Sequence, residues 1–176
     1  MIIFLDDYHT RLGNSIRIRQ QLATFVSRLT SHDLVALMYP LSAAIGATFT
    51  RDHQGTAAAI MQFSGRKYDY HPLPGNAYEE SFANRPPEVQ EQIRNELVIG
   101  TMKSSCALMA TLREGPKTIL FVSEGLPGNP IDQSMRMRDV YTMCGRGNTS
   151  VYPLDPRGLA TALEAKPTST DQEKAS

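Results

Sequence analysis

Tryptophan is absent from this chain of 176 residues, and cysteine occurs only twice, at Cys106 and Cys144. Without Trp, no Trp-built stacking platform for bases or sugars can form. Two cysteines are too few for a disulfide scaffold or a thiolate zinc site. Both cysteines fall on apolar faces of predicted helices, so we predict two buried packing thiols. No apolar run reaches the ~18 residues that a membrane span requires, so no span is expected in this chain.

An excess of charge of either sign is also missing. Eighteen basic residues balance eighteen acidic ones, which argues against a nucleic-acid partner. The apolar fraction of 41% and the charged fraction of 20% are those of an ordinary globular chain. The chain begins within a predicted buried strand and shows no basic leader region. We therefore expect one domain that is either without its leader or a fragment of a longer protein.

Short apolar runs alternate with amphipathic segments along the chain. This alternation is typical of βαβ units and predicts an α/β fold with a mostly parallel sheet. Pro86 and Pro87 precede a long predicted helix, in which we expect a buried stripe. Residues 64–84 are predicted to form a long, mobile functional loop. The predicted strands cover residues 2–5, 34–39, 43–49, 118–122 and 150–154, and the stripe consists of Val89, Ile93, Leu97, Ser104, Leu108 and Leu112.

Acidic residues follow three of the predicted strands. Asp6 and Asp7 follow the first strand, and Glu124 and Asp155 follow two later ones. Parallel pairing would gather these carboxylates at one edge of the sheet. Like charges in a crevice need compensation, and a divalent cation would supply it. The alternative is that these acids cap helices or face water. Hydroxyl groups that could add oxygen ligands belong to Thr10, Thr101 and Ser123.

Four segments of the chain carry a resemblance to a known family. They are FLDDYHT at residues 4–10, FTRD at 49–52, LREGPKTILFVSEGLP at 112–127 and SVYPLDPRGL at 150–159. Together they resemble the bacterial von Willebrand factor type A-related domain proteins. The resemblance implies a three-layer, doubly wound, Rossmann-like domain over residues 1–160, lacking the last helix and strand of the family. Residues 161–176 are predicted to be a polar, disordered tail.

The resemblance also implies a degenerate metal-ion-dependent adhesion site, for which the family motif is Asp-x-Ser-x-Ser followed by a distant Thr and a later Asp. Tyr8 stands where the middle serine is expected, and a phenol is a poor ligand for Mg2+. Glu124 stands where the later aspartate is expected, and its side chain is one methylene longer. The implied ligands for Mg2+, Ca2+ or Mn2+ are Asp6, Tyr8, Thr10, Thr101 and Glu124.

The family resemblance implies a protein-binding, adhesion-type module located outside the cytoplasm, either periplasmic or secreted. In such a site the metal keeps an open position, which a carboxylate of a protein partner fills. Residues 64–84, which contain tyrosines, would be either an adjacent contact surface or a self-packed cover. No organic cofactor is implied. A metal-free structural or interaction domain remains an alternative.

An enzyme is the competing interpretation. Asp6, Thr10 and Ser123 also resemble the motifs of haloacid dehalogenase-type phosphatases, in which Asp6 would be the nucleophile. Tyr8 is a poor substitute for the general acid that this family needs two residues later. The four histidines show no zinc-ligand spacing and are predicted to be surface or loop residues: His9, His32, His53 and His71.

Overall fold

The computed structural model describes residues 1–112 and 115–158. The predicted tail at residues 161–176 and Leu159, the last residue of the SVYPLDPRGL segment, lie outside these residues. The strands are β1 (Ile2–Leu5), β2 (Ala36–Met38), β3 (Lys117–Val122) and β4 (Thr149–Leu154). The α-helices are α1 (Leu12–Ser27), α2 (His53–Ile60), α3 (Ala77–Phe82), α4 (Pro87–Thr111) and α5 (Pro130–Arg146).

The four strands form one sheet in the order β2-β1-β3-β4, and every pair is parallel. The prediction of an α/β fold with a parallel sheet is confirmed. In the central pair, Leu5 is the register partner of Val122, so both strands end at the same level. Val122 is in turn the partner of Leu154 in β4. The residues that follow β1, β3 and β4 therefore emerge together at one edge, which we call the rim.

Helices cover both faces of the sheet. Alternate side chains of β1 point to opposite faces, so Ile2 and Phe4 pack in one core and Ile3 and Leu5 in the other. Helix α4 contributes Val98, Met102 and Met109 to the first core together with residues of α5, whereas α1 and α2 contribute Leu22, Val26 and Ile60 to the second. This double coverage explains why the strands are continuous apolar runs.

Helix α4 buries a different face from the predicted stripe. Val89 and Leu112 are exposed, as is Ser104. The helix is rotated by about one residue, or ~100°, relative to the prediction. Its buried face contains Gln90, Arg94, Asn95, Val98, Ile99, Met102, Ser105, Cys106 and Met109.

No helix in the part of the chain that the structure describes is long and apolar enough to cross a membrane.

Two predicted elements between β2 and α4 are wrong. Residues 43–49 form no strand, because a short 3-10 helix, Ala44–Gly46, occupies this position. Residues 64–84 are not one long loop. They contain α3, whose first turn is capped by the Asn76 side chain, and they bury Glu79 and Phe82 against the body of the domain.

The two cysteines form a disulfide, so the prediction of packing thiols is wrong. Cys106 of α4 and Cys144 of α5 are both fully buried, and their Cα atoms are 4.7 Å apart. The bond joins residues 38 positions apart in the chain and holds the two helices of one layer together. Spacing alone could not reveal this contact, because it depends on how α4 and α5 pack.

Removing this bond is expected to destabilise the domain. The double variant Cys106→Ala/Cys144→Ala should lose about 2–4 kcal/mol of unfolding free energy, because the unfolded chain regains the entropy of the open loop. Urea unfolding of the oxidised wild type and the variant measures the difference. A thiol reductant should lower the midpoint of the wild type and leave that of the variant unchanged. Equal midpoints for the oxidised wild type and the variant would contradict the expectation.

Candidate functional site

Asp6 is the central polar residue of the rim, and it is fully buried. Its Oδ2 atom accepts a hydrogen bond from Ser123 Oγ at 2.7 Å and lies 2.8 Å from His9 Nδ1. Its Oδ1 atom accepts from the backbone N–H of His9 at 3.2 Å. The parallel pairing of β1 and β3 produces this arrangement, because Asp6 and Ser123 each follow the last residue of their strand.

Glu124 lies beside this group and has its own set of partners. Its Oε1 atom accepts from the Arg11 backbone N–H and the Asn14 amide, both at 2.7 Å. Its Oε2 atom accepts from Lys67 Nζ at 3.2 Å. Burial of Glu124 favours a raised pKa, but the bonds from Asn14, Arg11 and Lys67 outweigh it and hold the pKa of this carboxyl below its usual range. Glu124 is therefore a carboxylate whose nearest cation is an ammonium group.

Residues 64–68, which we call the strap, cross the rim and place Lys67 there. The strap is bound to the loop after β1 by backbone hydrogen bonds from Arg66 N to the Asp7 carbonyl at 2.6 Å and from Lys67 N to the Thr10 carbonyl at 3.1 Å. Gly65 permits this approach, because a Cβ atom there would collide with the Thr10 carbonyl. The strap thus holds the Lys67 side chain against Glu124.

A second ion-paired cluster lies next to the strap. Arg66 donates to Asp7 Oδ2 at 2.9 Å and to Glu79 Oε1 at 2.6 Å, and Tyr8 Oη donates to Glu79 Oε1 at 2.7 Å. Burial and the Glu79 carboxylate raise the pKa of the Tyr8 hydroxyl far above its ordinary value. Tyr8 is consequently a neutral phenol whose O–H group donates its hydrogen bond to the Glu79 carboxylate. The guanidinium groups of Arg66 and Arg94 lie 5.0 and 4.7 Å from its ring centroid.

Four of the five predicted metal ligands have hydrogen-bond partners of their own. Asp6 is bonded to Ser123 and His9, Tyr8 to Glu79, and Glu124 to Lys67. Thr101 lies within α4 and donates to the Pro40 carbonyl at 2.5 Å. Thr10 Oγ1 is buried without a hydrogen-bond partner among the described residues.

The predicted metal site contains only two acidic side chains, Asp6 and Glu124. Within residues 1–112 and 115–158, no group of three or more His, Cys, Asp and Glu side chains is arranged to hold a metal. The oxygens of Asp6 and Glu124 accept hydrogen bonds instead, and the Lys67 ammonium lies beside Glu124. The metal ion stays a prediction that nothing here tests.

Sequence reasoning missed the partners of the rim carboxylates. His9 lies in the loop after β1, in agreement with the prediction of a surface or loop residue, but it is fully buried and contacts Asp6. Arg66 and Lys67 were overlooked within the predicted loop. Buried carboxylates need cations from some other part of the chain. The signal available in the sequence was that these two cations directly follow Gly65 and lie close to three tyrosines.

One exposed aromatic side chain stands above the Glu124–Lys67 pair. Tyr68 adopts a φ of +69° and is 60% exposed. The Arg11 guanidinium carbon lies 5.8 Å from its ring centroid and Lys67 Nζ lies 5.6 Å from it. Leu12 and Ile16 are also exposed and, four residues apart, share one face of α1. We call Arg11, Leu12, Ile16, Lys67 and Tyr68 the rim patch.

The chain matches no protein-family model, no curated protein and no solved structure.

Asp7 should make stability depend on pH in a direction that is unusual for an acid. Burial raises the pKa of its carboxyl to about 6, and Arg66 only partly offsets this. Between the ordinary pKa of an aspartate and about 6, the folded state keeps a proton that the unfolded state releases. The stabilisation of the folded state by Asp7 is therefore fully present below the ordinary pKa and is lost as the pH rises to about 6.

The variant Asp7→Asn isolates this effect, because an amide cannot titrate. The difference in unfolding free energy, wild type minus variant, should fall by up to about 3 kcal/mol between acid and neutral pH. Urea unfolding at intervals across this range measures it. A difference that stays constant or rises with pH would show that the Asp7 carboxyl is ionised in the folded state throughout.

Proposed function

We propose that this chain is a protein-binding module of the von Willebrand factor type A class, in which side-chain cations replace the divalent cation at the rim. The observation that carries the proposal is the Glu124–Lys67 ion pair beneath the exposed Tyr68 ring. Glu124 is the residue that the family resemblance assigns to the last acidic ligand. In this chain an ammonium group stands beside it, at 3.2 Å.

The parallel sheet supports assignment to this class. Asp6 and Glu124 follow neighbouring strands, as the adhesion-site motif requires. The resemblance in the four sequence segments supplies the rest of the argument. The strap supports a metal-free site, because the Lys67 ammonium group already supplies a positive charge to Glu124. No cation from solution is then needed to compensate this carboxylate.

The chemistry of the rim patch supports a protein partner that presents a carboxylate beside an apolar side chain. The Arg11 side chain is about half exposed, and its guanidinium can bind a carboxylate through two parallel hydrogen bonds. Tyr and Arg are the residues enriched at the energetic centres of protein interfaces. Tyr68 offers a large contact area, and its backbone is held by the strap.

Location outside the cytoplasm forms part of the proposal. The disulfide between Cys106 and Cys144 supports an oxidising compartment, where such bonds persist. The family resemblance implies the same location.

The phosphatase alternative has no observation in its favour. Tyr8 would have to protonate a leaving group, but its hydroxyl is buried and donates to Glu79. Asp6 would have to attack phosphorus, but it is fully buried and both of its oxygens accept hydrogen bonds.

Selection of peptides tests the binding function directly. A random peptide library displayed on phage and screened against the whole chain in EDTA should yield a recurring motif with Asp or Glu beside an apolar residue. The variants Arg11→Gln and Tyr68→Asn should each weaken a selected peptide by roughly tenfold, as expected for residues at the centre of an interface. Asn is chosen because it tolerates the positive φ of Tyr68.

Two matched controls separate the rim patch from general surface effects. Arg28→Gln lies at the far end of the same helix, and Tyr78→Asn replaces another exposed tyrosine outside the patch. Both variants should bind the selected peptides like the wild type. Failure to enrich any motif would refute the binding function, whereas equal losses in the control variants would refute the rim patch.

Independence from metal is a separate prediction. Millimolar Mg2+, Ca2+ or Mn2+ should leave the melting temperature within about 1 °C of its value in EDTA, because a ligand stabilises only through binding to the folded state. Differential scanning calorimetry on the wild type and on Asp6→Asn checks this. A metal-induced rise in the wild type that disappears in Asp6→Asn would restore the adhesion-site metal.

A further inference from the structure

A second feature lies on the α4 side of the rim. A cleft of about 430 Å³ runs between the first half of α4 and the loop that connects β3 to α5. Glu91 and Asn95 line it from α4, and Asp132 and Gln133 line it from the first turn of α5. None of these residues belongs to the rim patch.

Two amide side chains present hydrogen-bond acceptors to the cleft. Asn95 Nδ2 and Gln133 Nε2 both donate to the Pro127 carbonyl, at 2.9 and 3.0 Å. A carbonyl oxygen only accepts hydrogen bonds, so the NH2 group of each amide must face Pro127 and each amide oxygen must face away. Asn95 is more than nine-tenths buried, yet its Oδ1 atom and Gln133 Oε1 have no hydrogen-bond partner among the described residues.

Glu91 adds a carboxylate to the cleft, and burial together with this nearby carboxylate raises the pKa of the Tyr70 hydroxyl. Both of its carboxylate oxygens are buried without a hydrogen-bond partner in the described part of the chain. Arg94 Nη1 at 3.8 Å and His9 Nε2 at 3.7 Å face this carboxylate at ion-pair distance, beyond ordinary hydrogen-bond length, and neither atom has a hydrogen-bond partner among the described residues. Buried acceptors of this kind are costly unless a donor meets them.

The charge around the cleft has the same sign as these acceptors. The carboxylates of Glu88, Glu91 and Asp132 line it. Arg136 lines it as well, but this guanidinium is paired with Glu96. A group that carries N–H donors and a positive charge would match both the two amide oxygens without partners and the carboxylates that line the cleft.

We infer that this cleft binds an organic cation, a guanidinium or primary ammonium group. Such a group carries the N–H donors that Asn95 Oδ1 and Gln133 Oε1 can accept from, and its charge is opposite to that of the Glu91 carboxylate. It can belong to a basic side chain of a protein or to a free small molecule. The inference does not depend on the rim patch, so it stands or falls separately from the proposed function.

Peptides that differ only in charge test the inference. The 15N-labelled chain is titrated with acetyl-Gly-Gly-Arg-Gly-Gly-amide and with the same peptide containing citrulline, which keeps the shape but is neutral. The Arg peptide should shift backbone resonances of residues 88–95 and 127–133, and the citrulline peptide should bind about tenfold more weakly. Free arginine amide is the third probe. Tighter binding of the peptide indicates a protein source, and equal or tighter binding of arginine amide indicates a small molecule.

Substitutions place the cation in the cleft. Glu91→Gln should weaken the Arg peptide by about tenfold. Asp132→Asn, at an exposed position, should weaken it severalfold without affecting the fold. Asp139→Asn on the same helix but outside the cleft is the matched control and should bind like the wild type.

Three outcomes would overturn the inference. They are the absence of shifts at residues 88–95 and 127–133, equal binding of the Arg and citrulline peptides, and stronger shifts of the same resonances by CaCl2 than by either arginine probe. None of these results bears on binding at Arg11 and Tyr68, whose resonances are followed in the same spectra.

Discussion

Four carboxylates buried at the rim are the constraint on which the rest of this structure depends. Asp6, Asp7, Glu79 and Glu124 are each less than a tenth exposed, and a buried carboxylate persists only when hydrogen bonds or cations compensate it. Residues of β1 and β3 alone do not provide enough partners. Asp6 is bonded to Ser123 and His9, and the strap provides cations for the other three: Arg66 lies between Asp7 and Glu79, and Lys67 lies against Glu124. The path of residues 64–84 across the rim follows from this requirement.

The sheet could be predicted because its signal is local. Each strand is a short apolar run, and parallel pairing follows from the helices between the runs. The meeting of Asp6 with the residues after β3 could also be predicted, since both follow the last residue of a strand. The partners of Glu124 could not be predicted, because they come from distant parts of the chain, such as Lys67, 57 positions away.

Polar residues explain why the buried face of α4 was misplaced. Periodicity arguments assume that the buried face is apolar, but α4 buries Gln90, Arg94 and Asn95 in its first half. Arg94 is tolerated there because its guanidinium lies 4.7 and 4.9 Å from the rings of Tyr8 and Tyr70 and donates to the Asp69 carbonyl. These tertiary contacts, and not the helix pattern, decide which side of α4 faces inward.

The proposed replacement of a metal ion by side-chain cations would change how the rim binds a partner. An ammonium and a guanidinium each carry one charge on a flexible stem, whereas a divalent cation has open coordination positions at fixed geometry. Binding through Arg11 would be screened by salt, since half of its side chain is in solvent. Selectivity would then rest on the apolar contact with Tyr68, and the negative cleft beyond Glu91 would favour partners that place a positive group on that side.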